Sequence, residues 1–296
     1  NDFQNHLEQH LGVKHVIPVA SGTDALQIAL MSLGLQSGDE VIIPTFTFIA
    51  TAEVVALLGL TIVPVDVELG TFCMSANSIE NAITPKTKAI IPVHLFGQNA
   101  NMEAIVAIAK KHGLYIIEDA CQSIGANYTF SSGETVKSGC IGNLGCTSFF
   151  PSKNLGCFGD GGAIFTNNDI LADEVRCIAN HGMRVRYHHD RIGVNSRLDS
   201  IQAAVLDVKL THFGEYTQKR QWAATCYDSA FSSFQNYITI PQRNPQSTHV
   251  FHQYTIRLNE CIDRDLLREK LTKKGVPTMV YYPIPLHLQN AYKNNR

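Results

Sequence analysis

Three groups of residues in this chain have the types and spacing that coenzyme chemistry requires, and the first is centred on Lys153. This lysine ends the segment Ser148-Phe149-Phe150-Pro151-Ser152-Lys153 and precedes a glycine-rich run at 156–162 and an apolar run at 163–166. An amine held at the end of a buried strand, where water is excluded, is suited to forming a Schiff base. The alternative is an ordinary solvated lysine in a loop.

The second group is the acidic end of the apolar run Tyr115-Ile116-Ile117, which continues into Glu118 and Asp119. A buried parallel strand of this kind would deliver a carboxylate to the C-terminal edge of its sheet. Pyridoxal phosphate (PLP) needs such a carboxylate, because the carboxylate keeps the pyridine nitrogen protonated and the ring can then act as an electron sink. The alternative is that Asp119 caps a following helix.

The third group is the turn Ser21-Gly22-Thr23, which joins an apolar strand to a helix with Leu26, Ala29, Leu30 and Leu33 on one face. Free amides at the start of that helix, with the hydroxyls of Ser21 and Thr23, form an anion site suited to a phosphate. Any capped helix looks similar when it is considered alone. A phosphate site, a strand-end Asp and a lysine at a glycine-rich turn, in that order, predict a PLP enzyme.

The composition indicates a globular cytoplasmic protein and argues against several other classes. The chain has 296 residues, 45% hydrophobic and 17% charged, with a net charge of −2. Such a balance does not favour nucleic acid or an anionic membrane as a partner, and no apolar run reaches the roughly 18–20 residues of a membrane span. The eight cysteines form no C-x-x-C pair, so we interpret Cys121, Cys146 and Cys157 as reduced packing residues. His188 and His189 are adjacent and no H-E-x-x-H occurs, so we predict no metal.

Short apolar strands alternate with amphipathic helices in the first two thirds of the chain, which predicts an α/β fold with a mostly parallel sheet. The clearest helix covers 101–112 and ends at Gly113, and a second helical pattern runs from Leu198 to a break near Phe213. A smaller α+β part should contain a strand at 251–257 and a helix at 263–274. The strands predicted for the sheet lie at 41–43, 61–67, 89–93, 115–117, 146–150 and 163–166.

Six ordered motifs resemble the sugar aminotransferases of the DegT/DnrJ/StrS family, PLP enzymes of fold type I. They are 21–26, 44–48, 118–123, 148–153 with its glycine-rich tail, 195–199 and 281–289. The resemblance implies a large PLP-binding domain at 1–212, with a seven-stranded type of sheet between helices, and a small C-terminal domain at 213–296. Family members usually carry more chain at both ends, so we expect this sequence to be truncated.

The resemblance also implies roles for individual residues. Lys153 would form the Schiff base with PLP and carry the proton, Asp119 would pair with the pyridine nitrogen, and Gln122 would lie near the ring hydroxyl. Phe48 occupies the position whose aromatic ring stacks on the coenzyme; the alternative is a core aromatic.

Phosphate contacts are implied for Gly22, Thr23 and Ser148, and for Asn195 reaching across from the second subunit of a homodimer. Ser148 could instead satisfy backbone groups at a strand edge, and Asn195 could cap a helix.

The substrates implied are L-glutamate and a nucleotide-linked keto sugar used in surface polysaccharide biosynthesis such as that of lipopolysaccharide. Within the family, the segments 146–153 and 186–199 look most like enzymes that aminate C3 of UDP-linked 2-acetamido-3-keto-glucuronic acid. Such a substrate carries a carboxylate and a pyrophosphate, which suits a cationic cluster. Our hypothesis is that Arg197 and His188 or His189 contact the sugar acid, and that His287 and Gln289 reach the substrate or line the core. The cluster as a whole comprises Arg184, Arg186, His188, His189, Arg191 and Arg197.

Other interpretations are another UDP- or dTDP-linked 3- or 4-keto-6-deoxy sugar as substrate, a solvated basic loop in place of the cluster, and a non-enzymatic regulatory protein that retains the fold. A pyridoxamine-dependent sugar dehydratase would have His in place of Lys153.

Overall fold

The computed structural model describes residues 2–292; Asn1 and residues 293–296, the outer ends of the two predicted domains, lie outside the described residues. Its centre is a seven-stranded sheet with the order β1-β9-β8-β5-β4-β2-β3. In chain order the strands are β1 (His15–Val19), β2 (Glu40–Pro44), β3 (Thr61–Val65), β4 (Thr87–Ile90), β5 (Tyr115–Asp119), β6 (Asn127–Thr129), β7 (Thr135–Lys137), β8 (Leu144–Ser148), β9 (Gly162–Thr166), β10 (Met183–Val185), β11 (His188–His189), β12 (Ile238–Thr239) and β13 (Arg257–Leu258).

Six strands of this sheet are parallel to one another, and β9 runs against both of its neighbours, β8 and β1. The predicted strands at 41–43, 61–67, 89–93, 115–117, 146–150 and 163–166 are all present, with ends shifted by up to three residues. The mostly parallel sheet of the predicted fold class is therefore confirmed.

Helices cover both faces of the sheet, which explains why its strands are almost continuously apolar. In chain order they are α1 (Asp2–Leu11), α2 (Gly22–Ser32), α3 (Ala50–Leu57), α4 (Ala76–Ala82), α5 (Met102–His112), α6 (Asp169–Ala179), α7 (Ser200–Thr211), α8 (Phe213–Phe231) and α9 (Arg264–Lys273). Alternate residues of β2 show the two faces, because Val41 and Ile43 join the core under α2, α3 and α6, whereas Ile42 joins the core under α4 and α5.

Local sequence signals fix the ends of several helices. Asn101 accepts a hydrogen bond from the amide of Ala104, and Gly113 ends α5 in the left-handed conformation at φ 67°. Asp199 caps α7 by accepting from the amide of Ile201. The cap of α7 is therefore Asp199, so the alternative that Asn195 is a helix cap is wrong.

The C-terminal part contains α8, α9 and a two-stranded antiparallel pair formed by β12 and β13. The predicted strand at 251–257 is wrong, because only Arg257–Leu258 pairs as a strand. The segment before it hydrogen-bonds to a loop instead: the amide of Val250 donates to the carbonyl of Gly97 at 2.8 Å. The division at residue 212 coincides with the break between α7 and α8 and remains a prediction.

Within residues 2–292, no helix has both the length and the apolar character needed to cross a bilayer. The same residues contain no group of three or more His, Cys, Asp or Glu side chains placed to hold a metal ion.

Candidate active site

The three groups of residues singled out in the sequence meet at one edge of the sheet. Helix α2 begins at Gly22 directly after β1, and Ser148 is the last residue of β8. A Cβ atom on Gly22 would lie 2.7 Å from the Cβ of Ser148 and 3.0 Å from the Sγ of Cys121. Only glycine allows the helix start to approach the end of β8 this closely. The glycine at 22 thus brings the predicted phosphate residues together.

This junction has the donors that a phosphate requires. The amides of the first turn of a helix have no partner within the helix, which leaves those of Gly22 and Thr23 for a ligand. The hydroxyl of Ser148 accepts from the amide of Phe150 at 3.3 Å and keeps its own hydrogen for donation. Ser21 differs from the expectation, because its hydroxyl accepts from the amide of Asp24 and donates to the Asp24 carboxylate. Its single hydrogen is used there, so Ser21 caps the helix and does not donate to a phosphate.

Asp119 lies at the C-terminal end of β5, 6% exposed, with both carboxylate oxygens bonded. Thr51 donates to Oδ2 at 2.9 Å, and the amide of Cys121 donates to Oδ1 at 3.2 Å. No helix begins after Asp119, since turns occupy 121–125. The alternative in which Asp119 caps a helix is therefore wrong.

Lys153 is half-buried in the turn after β8, where its amide donates to the carbonyl of Phe150 at 2.8 Å. Within residues 2–292 no carboxylate forms an ion pair with its ammonium group. Burial lowers the pKa of the neighbouring His252 to about 3, and the charge of Lys153 contributes to that shift. Burial also raises the pKa of the Cys121 thiol, with Asp119 adding to the effect and Lys153 opposing it. Lys153, Asp119 and Cys121 therefore share one electrostatic environment, in which Cys121 stays a neutral thiol.

Two further residues carried over from the family lie near this site. Gln122 is buried, accepts from the amide of Phe96 at 2.7 Å and donates to the hydroxyl of Tyr282 at 3.3 Å. Burial raises the pKa of Tyr282 to about 12. Phe48 is 57% exposed, so it is not a core aromatic. An exposed ring at the start of α3 is available for stacking on a planar ligand.

Asn195 and Arg197 lie at the surface beside the start of α2. With Ala20, Leu198, Asp199 and Ser200 they line a cavity of about 450 Å³. Ser196 between them is buried, and its hydroxyl accepts from the amide of Ala20 at 2.9 Å and donates to Asp24 at 2.5 Å. These two bonds anchor the Asn195 segment to the helix that presents the phosphate donors.

The predicted cationic cluster is divided by the structure. Arg184 bonds to Asp173 at 2.7 Å and to Glu174 at 2.6 Å, and Arg191 also pairs with Glu174. These two arginines hold the hairpin of β10 and β11 against α6, because their charges are already matched by acids. They do not belong to an available cationic cluster, and that part of the expectation is wrong.

The remaining predicted substrate residues lie in two different elements of the fold, β11 and a short 3-10 turn near the C-terminus. His188 and His189 are exposed in β11, and Nδ1 of His189 lies 2.9 Å from the carbonyl of His181. His287 lies in the short 3-10 turn Leu286–Leu288, where the amide of Leu286 donates to the carbonyl of Thr45 at 3.0 Å. Its Nδ1 atom is buried without a hydrogen-bond partner within the described part of the chain.

The observed donors fit PLP. A close helix–strand junction with free amides suits the phosphate, a buried carboxylate held by two donors suits a protonated pyridine nitrogen, and the unpaired Lys153 amine suits an aldehyde. The sequence analysis assigned no role to Thr51, Tyr282 or His252, although Tyr282 lies in the motif at 281–289. Thr51 contacts Asp119 across 68 positions of sequence, so no local spacing could have indicated it.

Comparisons with known proteins indicate the same class of enzyme. The family model for the DegT/DnrJ/EryC1/StrS aminotransferase family matches residues 1–296. The UDP-2-acetamido-2-deoxy-3-oxo-D-glucuronate aminotransferase of Pseudomonas aeruginosa is 49% identical over 295 residues, covering 100% of this chain and 79% of that protein. A UDP-N-acetyl-3-dehydro-α-D-glucosamine 3-aminotransferase of Acidithiobacillus ferrooxidans is 47% identical, covering 95% and 73%. The crystal structure of S. venezuelae DesV in complex with a ketimine intermediate superposes with a TM-score of 0.92 at 41% identity, covering 98% and 76%.

The fold and the site define a PLP-dependent aminotransferase of fold type I. The chain belongs to the DegT/DnrJ/EryC1/StrS aminotransferase family, which confirms the resemblance, the enzyme class and the coenzyme.

Proposed function

We propose that this aminotransferase moves the amino group of L-glutamate to C3 of UDP-2-acetamido-2-deoxy-3-keto-glucuronic acid. The observation that carries the proposal is the 49% identity, over 295 residues, to the Pseudomonas aeruginosa enzyme named for that reaction. The relative at 47% identity is also named for a UDP-linked 3-keto sugar. Both names agree on the nucleotide and on the carbon that is aminated, whereas only the first includes the acid.

On the coenzyme side we assign Lys153 as the attachment residue and Asp119 as the partner of the pyridine nitrogen. PLP supplies an electron sink that stabilises the carbanion formed when a proton leaves the carbon bearing the amine. Gly22, Thr23 and Ser148 would bind the phosphate, Gln122 would donate to the ring hydroxyl, and Phe48 would stack on the ring. The support is the junction of α2 with β8 and the two hydrogen bonds that orient Asp119.

The proton transfer falls to Lys153. Its Nζ atom would take and return the proton at the substrate carbon, because within residues 2–292 this amine has no carboxylate partner. His252 is neutral beside it and adds no competing positive charge. Replacing Lys153 with Ala should abolish transfer and leave the unfolding curve unchanged, and turnover at the parental rate would contradict the assignment.

We further propose a homodimer in which Asn195 completes the phosphate site of the partner subunit. Asn195 is exposed, and Ser196 anchors its segment next to the phosphate donors. Mixed dimers test this assignment. If Asn195 acts across the interface, subunits with Lys153→Ala and subunits with Asn195→Ala should regain activity when they are mixed, because one of the two sites is then complete. If Asn195 serves its own subunit, mixing restores nothing.

For the sugar acid we assign Arg197, with one of the histidines His188 and His189 and with His287. Arg197 is exposed in the cavity beside α2 and forms no ion pair within residues 2–292, unlike Arg184 and Arg191. His287 has a buried Nδ1 atom without a partner, which a substrate hydroxyl or carboxylate could satisfy.

Turnover of the UDP-linked 3-keto acid should be compared with that of a dTDP- or UDP-linked 3- or 4-keto-6-deoxy sugar, with glutamate as donor and mass detection of products. A higher turnover of the acid than of the neutral sugar would support the proposal. In Arg197→Gln this preference for the acid should fall at least about tenfold, because a charged hydrogen bond to the substrate is lost. Preference for a neutral sugar would replace it with the alternative of a 6-deoxy substrate.

A further inference from the structure

A chain of buried hydroxyl groups leads to the carboxylate of Asp119. Thr51 lies in the first turn of α3 with 0% exposure, and its Oγ1 atom is 2.9 Å from Oδ2 of Asp119. Thr47, 4% exposed, places its own Oγ1 at 3.4 Å from that of Thr51. No contact with the coenzyme is assigned above to either threonine.

The direction of these hydrogen bonds follows from the number of hydrogens. An ionised carboxylate only accepts, so the single hydroxyl hydrogen of Thr51 points at Asp119. Thr51 can then only accept from Thr47, and both hydroxyl dipoles point towards the carboxylate. Consecutive hydrogen bonds of this kind polarise one another in a buried setting.

The two donors also fix the orientation of the Asp119 side chain. Thr51 holds Oδ2, and the amide of Cys121 holds Oδ1 at 3.2 Å. Rotation of the carboxylate would break both bonds, whereas each oxygen keeps a lone pair for a further donor. The carboxylate is therefore oriented before any ligand arrives, which removes an ordering cost from binding.

We propose that Thr51 is a positioning residue that holds the Asp119 carboxylate oriented for the pyridine nitrogen of PLP, with Thr47 as the second hydroxyl behind it. This inference rests on the role assigned to Asp119 under the proposed function. A carboxylate held in place against the pyridine nitrogen would keep that nitrogen protonated. A positively charged ring would in turn lower the pKa of an imine formed with Lys153, because like charges disfavour each other.

The test uses three variants of the full chain. Thr51→Val removes the hydroxyl and keeps the shape, Thr51→Ser keeps the hydroxyl and removes a methyl group, and Thr47→Val removes the outer hydroxyl. Two quantities are measured: the PLP dissociation constant by absorbance titration, and the pH midpoint at which the absorbance of the lysine-bound coenzyme changes.

In Thr51→Val we expect the midpoint to rise by about half a pH unit or more and the dissociation constant to rise roughly three- to tenfold. Thr51→Ser should match the parent in both, and Thr47→Val should shift both in the same direction by less. Parental values in Thr51→Val would overturn the inference. An equal defect in Thr51→Ser and Thr51→Val would also overturn it, because that result would assign the effect to packing of the methyl group.

Asp119→Ala separates this inference from the proposal beneath it. If Asp119→Ala leaves the midpoint at the parental value, Asp119 is not the partner of the pyridine nitrogen and the site assignment fails, and the inference with it. If Asp119→Ala raises the midpoint and Thr51→Val does not, only the role of Thr51 is refuted.

Discussion

The contact between α2 and β8 allows a quantitative prediction for Gly22→Ala. The new Cβ would lie 2.7 Å from the Cβ of Ser148, whereas carbon atoms in contact are normally about 3.5–4.0 Å apart. The Cβ of Ser148 is fixed by its backbone, so no side-chain rotation relieves the overlap. The helix start and the strand end must separate by close to 1 Å.

That separation has two expected effects. Overpacking of this kind reduces the free energy of unfolding by about 1–3 kcal/mol. The phosphate donors on the two elements also move apart, and since a misplacement of about 1 Å can cost a reaction roughly 10²-fold, we expect PLP binding to weaken by at least about tenfold. Urea unfolding measures the first effect and absorbance titration with PLP measures the second.

Gly214→Ala is the matched control, because Gly214 lies in α8 with nothing within 4 Å of an added Cβ. This variant should bind PLP like the parent and be unchanged or up to about 1 kcal/mol more stable. In a second control, Ser148→Gly introduced into Gly22→Ala should recover part of the stability, because the contact with the Cys121 Sγ at 3.0 Å remains, and should not recover PLP affinity. Parental stability and PLP affinity in Gly22→Ala would refute the close junction.

Three further predictions concern buried and paired charges. His94→Leu should lower the free energy of unfolding by about 3 kcal/mol in urea, because the fully buried Glu118 loses the donor that His94 Nε2 supplies at 2.8 Å; a loss below about 1 kcal/mol would contradict this. Burial lowers the pKa of both His249 and His252 to about 3. As the pH falls below 6.5, the unfolded chain therefore binds protons before the folded chain does, and each histidine should remove about 2 kcal/mol from the free energy of unfolding by pH 5. Urea midpoints that are equal at pH 5 and pH 7 would be inconsistent with neutral buried rings. Glu174→Gln should weaken the attachment of the β10–β11 hairpin to α6 and speed its proteolysis, although the pair of Arg184 with Asp173 remains; an unchanged cleavage rate would show that the ion pairs of Glu174 do not hold the hairpin.

Much of the fold could be predicted because its signals are local. The helix at 101–112 has its own cap and its own left-handed glycine, and the strand that ends at Asp119 is a short apolar run with an acid after it. The strand predicted at 251–257 failed for the opposite reason. The backbone amides of Val250 and Gln253 donate to the carbonyls of Gly97 and Phe96, about 150 positions away in the sequence, and only the folded chain brings them together.

The same distinction applies to the site. Asp119 ends β5, Gly22 begins α2 and Lys153 lies in the turn between β8 and β9, so each of these candidates had a local signal in the sequence. The prediction that Arg184 belongs to an available cationic cluster was wrong, because the acids that neutralise it include Asp173 on another element, α6. A residue type at a given spacing predicts what a side chain can do, whereas its partners decide whether it is free to do it.

The attachment of the coenzyme to Lys153 is tested most directly by reducing the PLP-loaded protein with borohydride and mapping the modified peptide by mass. We expect one coenzyme-sized addition per chain, located on Lys153 and lost in Lys153→Ala. An unmodified Lys153 at saturating PLP, or an addition on a different lysine, would contradict the central claim that this residue binds the coenzyme.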